Sequence, residues 1–191
     1  MEGTQTYRRW LQRATVYALS MTLAGAATGV AVAAAGLGVD ALVPGARVPL
    51  AIALGAVAMA YAAHELELLR LPVPGRDWQV PVEWVQGGFY RSAAIFGGTV
   101  GFGVFTRVPY ATFPILLGWL FISGDVLIGL AAGLVYGVLR AASIYSSAST
   151  REPADVISLN ERLMSFAPYQ HVLSGIALAS FAAYMIVAPI L

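Results

Sequence analysis

Arg107 is the residue best placed to do chemistry in this sequence, because it stands alone in an otherwise uncharged apolar run from Ser92 to Phe121. A guanidinium near the middle of a bilayer costs roughly 2.5–3.5 kcal/mol on insertion scales, so it needs a structural or functional reason. The flanking residues offer one. Gly97, Gly98, Gly101 and Gly103 precede Thr106-Arg107-Val108-Pro109-Tyr110. Those glycines weaken helix persistence, and Pro109 removes an internal hydrogen bond. Proline also suits the first position of a new helix, which Thr106 can help to cap. A half-helix starting near Pro109 would aim its positive end at the membrane middle, beside Arg107. Two positive features at one place favour an anion, so Arg107, Thr106, Pro109 and Tyr110 form a candidate anion or substrate pocket. No acidic residue between Glu83 and Asp125 neutralises the arginine locally. The structural alternative is an arginine that snorkels, bonds freed carbonyls or sits in a turn.

The second polar group is His64, Glu65 and Glu67, which close an apolar stretch just before Arg70. His64 and Glu67 are three apart and share a helix face, the spacing of a metal-ligand pair. Two ligands do not make a closed site, and polar residues are ordinary at a membrane interface. No metal or other cofactor is expected. His171 and Tyr169 open the last apolar stretch and read as interfacial too. The sequence holds no Ser/His/Asp set, no phosphate loop and no zinc motif, so an enzyme is not expected. It has no cysteine, which excludes thiol relays and disulfides within this chain.

Composition decides what must position these residues. With 59% hydrophobic and 11% charged residues, the chain is far from the ~25% charged content of soluble domains. The expectation is one all-α integral membrane domain over 1–191. A net charge of +1 gives no reason to expect nucleic acid. Clear spans cover about 14–36, 48–69, 126–142 and 171–191, with 92–121 as a broken one. A short interfacial helix is predicted over about 153–166, with Val156, Ile157, Leu163 and Met164 on one face. Small residues at four-residue spacing (Gly25 and Gly29, Gly97 and Gly101, Gly129, Gly133 and Gly137) suit close helix packing in lipid.

Whether 92–121 crosses once or twice sets the span count at five or six. Arginine distribution discriminates. A single crossing puts nine arginines inside with the N-terminus, leaving Arg47 outside and Arg107 in the membrane. A double crossing divides them six against five. Five spans with a cytoplasmic N-terminus fit better, in a bundle with a proline-broken central helix.

The order of these segments resembles the cytochrome c biogenesis transmembrane family, of DsbD/CcdA type. Tyr17 followed by glycine-rich sequence through Gly25 and Gly29 is similar to that family's second helix. Ala51 to Leu71-Pro72 resembles the third, and Arg91 to Leu117 the glycine-rich, proline-broken fourth. Val126–Arg140 and Val172–Ile190 would be the fifth and sixth. The family's first helix, with one redox cysteine, has no counterpart, and near the second cysteine's place stands Thr106. The resemblance therefore implies the architecture without the electron transfer. Two functions follow as expectations. One is a non-catalytic subunit or accessory protein of the cell (inner) membrane, whose open flank a membrane partner or second copy covers. The other is a transporter-like protein that binds or passes a small anionic solute at Arg107.

Overall fold

The computed structural model describes residues 2–72, 80–86, 88–103, 111–146 and 153–188, and among these every regular element is helical. In chain order they are α1 (Glu2–Leu42), α2 (Arg47–Glu65), α3 (Val82–Val85), α4 (Phe89–Gly101), α5 (Thr112–Ser123), α6 (Val126–Ser146) and α7 (Pro153–Val187). Four stretches are long and apolar enough to cross a membrane: Tyr7–Leu42, Arg47–Glu65, Val126–Tyr145 and Pro168–Val187. By length and composition this is an all-helical membrane protein. Its outward side chains agree with a lipid solvent, since Leu127, Val135, Val138 and Leu139 on α6 and Leu173 and Ile176 on α7 are all exposed.

The helix ends differ from the expected spans for local reasons. α1 begins well before Ala14, because Arg, Gln and Leu in its polar first turns are good helix formers. Its end is set by the turn at Pro44-Gly45, where Gly45 takes φ 87°. α2 stops at Glu65, short of Leu69, where Glu67 turns left-handed with φ 62°. Both α2 and α5 carry proline at their third residue, where the missing N–H has no intrahelical partner anyway. Gly124, at φ 61°, closes α5 with its N–H on the Leu120 carbonyl. The expected interfacial helix and last span form one helix, α7, with Pro168 inside it. The side chains of Val156, Ile157, Leu163 and Met164, which define the expected interfacial face, lie outside the described residues.

The chain divides into two compact units. The first holds α1 up to Ala31, α3, α4 and α6. Here helices touch backbone to backbone. A Cβ on Gly25 would lie 2.7 Å from the Gly133 carbonyl oxygen, and one on Gly29 would overlap the Gly129 carbonyl. The pairs advance in opposite senses, 25 with 133 and 29 with 129, so α1 and α6 are antiparallel. On another side of α1, Gly97 meets the Tyr17 backbone and Gly101 the Met21 backbone. Those pairs advance together, so α1 and α4 are parallel. The threonines of this unit keep their hydroxyls internal: Thr22, Thr28 and Thr99 each donate to the carbonyl four residues back.

The second unit holds α1 from Val32, α2, α5 and α7. Ala58, Ala62, Ala111, Ile115, Leu178 and Ala182 form its core, with Leu54 and Phe181 packed on it. Gly55 faces Ala182 and Met185, and Gly175 faces Ala62 and Leu66. α2 and α7 are therefore antiparallel. Gly118 meets Leu54 while Ala111 meets Glu65, so α2 and α5 are antiparallel as well. Gly36, near the end of α1, lies against the Phe121 carbonyl of α5.

Candidate functional site

The second unit buries a carboxylate. Among the described residues, the buried polar side chains are Glu65, 3% exposed, and Ser92 in the first unit. The reason lies in spacing. The buried residues of α2 are Ala51, Gly55, Ala58, Ala62 and Glu65, a stripe with alternating steps of four and three. On α7, His171 precedes Gly175, Leu178, Ala182 and Met185 at the same steps, the last four of them buried. Two matching stripes pack face to face, and each ends in an ionisable group.

Glu65 is held at both oxygens. Oε1 accepts the Ala111 N–H at 3.3 Å, just where α5 begins. Oε2 lies 2.5 Å from His171 Nδ1, an ion pair when the imidazole is protonated. One carboxylate thereby joins three helices. Removal of a buried carboxylate from water is costly, and hydrogen bonds at both oxygens offset that cost.

A cavity of about 480 Å³ opens beside the pair, lined by His64, Glu65, Glu67, Leu69, Arg70 and His171. His64 Nδ1 lies 3.1 Å from the Leu71 N–H and 3.2 Å from the Leu69 carbonyl, which ties the ring to the turn after α2. Tyr61 donates to the Pro72 carbonyl at 2.9 Å and meets the His64 ring edge-on. His64 and Glu67, the sequence's metal-ligand pair, both line this cavity. Among the described residues no three such side chains are placed closely enough to hold a metal ion together. The arrangement can pass a proton between imidazole and carboxylate, and it can hold a small solute with paired charges.

The sequence-predicted anion pocket of Thr106, Arg107, Pro109 and Tyr110 lies outside the described residues. The flanking structure ends at Gly103, which is left-handed at φ 69°, and resumes at Ala111. The packing glycines are all placed in the first unit: Gly25, Gly29, Gly129, Gly133 and Gly137 between α1 and α6, and Gly97 and Gly101 between α4 and α1.

Sequence reasoning passed over Glu65 and His171, which it read as interfacial. The signal was present. A glutamate continuing a four-three stripe of small residues sits on the packing face, whereas His64 and Glu67 fall off that stripe. No protein-family model, curated protein or solved structure matches the chain.

Proposed function

We propose that this protein is a non-catalytic subunit or accessory protein of the cell (inner) membrane, built on the cytochrome c biogenesis (DsbD/CcdA-type) architecture without its thiols. It crosses the bilayer five times from a cytoplasmic N-terminus, with α4 and α5 as halves of one broken crossing. The observation that supports the five-span path is helix direction. A six-span path makes α6 parallel to α1 and α7 parallel to α2. The contacts within each unit run the opposite way, with α1 and α6 antiparallel and α2 and α7 antiparallel. The lengths agree, because α4 has 13 residues and α5 has 12, each short of the ~20 needed to cross alone. A relay architecture that has no cysteine cannot carry electrons by thiol exchange, and a role in assembly or support of a partner is compatible with that loss.

The test is gentle solubilisation followed by native electrophoresis and identification of co-migrating chains. A discrete complex with a membrane protein or a second copy is expected. A monomer without a companion overturns the subunit reading, and reporter tags placing both termini on one side overturn the topology.

One observation favours a second reading, a solute-binding or transporter-like protein. The cavity beside Glu65 is lined by five ionisable side chains at the end of an apolar helix, and such groups mark solute paths in membrane proteins. Arg107, which the sequence sets between α4 and α5, is the separate candidate charge for a small anionic solute. Solute flux into vesicles that falls for Arg107→Gln or Glu65→Gln supports this reading, and flux equal to wild type in both variants removes it.

A further inference from the structure

In the first unit, a cleft of about 670 Å³ opens between the start of α1, the start of α4 and the end of α6. We infer that it is a binding site for the headgroup of an anionic phospholipid. Its cation is Arg13, the last charge before the apolar run of α1. Arg13 Nη2 donates to Ser92 Oγ at 3.1 Å, and the guanidinium lies 5.3 Å from the centre of the Phe89 ring. Ser92 in turn donates to the Phe89 carbonyl at 3.2 Å. Neither contact neutralises the arginine, and among the described residues it forms no ion pair. The chain fixes its position without cancelling its charge.

A second arginine lies one helical turn from the cleft's α6 wall without lining it. Arg140 stands three and four residues before Ser143 and Ile144, which line the cleft from α6, so all three share a helix face. Its Nη1 donates to the Tyr136 hydroxyl at 2.6 Å. Arginine is suited to phosphate because its planar fork gives two parallel hydrogen bonds.

Position selects a lipid over a soluble anion. Arg13, Ser92 and Ser143 each stand where a helix leaves its apolar stretch, the level of phosphate headgroups. Three of the remaining lining residues, Trp10, Tyr17 and Phe96, are aromatic. Tyr17 stacks on Phe96 with centroids 5.9 Å apart, and Trp10 meets Tyr145 edge-on at 6.3 Å. Rings of this kind sit at the headgroup and glycerol level, with apolar faces toward the acyl chains. In the five-span topology this end of the unit faces the cytoplasm, where anionic lipids and basic clefts meet.

Native mass spectrometry of the full chain, released from detergent with added phosphatidylglycerol or phosphatidylcholine, tests the assignment. One phosphatidylglycerol per chain is expected to survive activation that strips phosphatidylcholine. Arg13→Gln should lower its occupancy about fivefold, the effect of removing one arginine from an anionic surface. Arg13→Lys, which keeps charge but loses the fork, should fall between. Equal retention by wild type and Arg13→Gln overturns the site, as does equal retention of both lipids. Displacement of the lipid by millimolar inorganic phosphate would make the ligand a soluble anion and also overturns it. Should Arg13→Gln fail to fold, the wild-type lipid preference and the Arg13→Lys decrease still decide, and their absence overturns the assignment.

Discussion

The two units solve the same problem with different chemistry. The first brings α1 against α6 and α4 through glycines, so that backbone meets backbone. The second sets stripes of small and apolar residues on α2 and α7 together and ends them with a hydrogen-bonded ionisable pair, Glu65 and His171. In lipid there is little hydrophobic force between helices, so association depends on close contact and on hydrogen bonds. Each unit relies mainly on one of the two. Close packing leaves the first unit's cation, Arg13, at the edge facing an open cleft. Hydrogen bonding draws the second unit's anion, Glu65, into the interior. The contrast teaches that a burial stripe, more than a residue's polarity, decides which charge a membrane helix hides.

The contrast is broken most easily at the tightest contact. Gly29→Val places a side chain on the Gly129 carbonyl, with backbone on both sides and no flexible neighbour to yield. The expected cost is about 3 kcal/mol, at the upper end for overpacking, seen as loss of the cooperative thermal transition by circular dichroism in detergent. A variant that melts like wild type would show that α1 and α6 are not in backbone contact. Glu65→Ala is the matching lesion in the second unit. It strands the Ala111 N–H and removes the carboxylate that holds the His171 imidazole, for an expected loss of about 2–3 kcal/mol. Glu65→Gln keeps the shape and an acceptor for Ala111, so about half that loss is expected. A double-mutant cycle with His171→Ala isolates the pair. Coupling below about 0.5 kcal/mol would reduce it to an ordinary surface contact.

How much of this could be read from the chain depends on which physical signal marks each feature. Long apolar runs mark spans, and those that became α1, α2, α6 and α7 were legible because the bilayer sets their length. They do not mark helix ends. The polar turns of α1 before Ala14 are helical through propensity, and α7 continues past Pro168, where sequence reasoning placed a boundary. The candidate site was misjudged for a related reason. Glu65 was grouped with His64 and Glu67 by nearness in sequence, whereas its place on the Ala51-Gly55-Ala58-Ala62 stripe sets its burial. Its partner His171 is 106 residues away, and no local pattern announces that pairing. Helix direction, in contrast, needed contacts between distant segments, which arginine counting could only approximate.

The finest test of the comparison uses two adjacent glycines. Gly97 faces the Tyr17 backbone, whereas Gly98, one residue on, has open space where a Cβ would be. Both lie inside α4. Gly98→Ala should stabilise the helix by about 0.5–1 kcal/mol, because alanine loses less backbone freedom on folding. Gly97→Ala gains the same propensity and should still destabilise, because the new methyl forces α4 away from α1. Opposite signs in the melting shift at neighbouring positions cannot arise from propensity alone. The same sign at both would mean that glycine in the first unit reflects composition and not contact. The exposed Arg47–Asp40 pair, at 3.0 Å, supplies the baseline. Asp40→Asn should cost less than about 0.5 kcal/mol, and nothing at high salt, so that only shifts above that level report on helix packing.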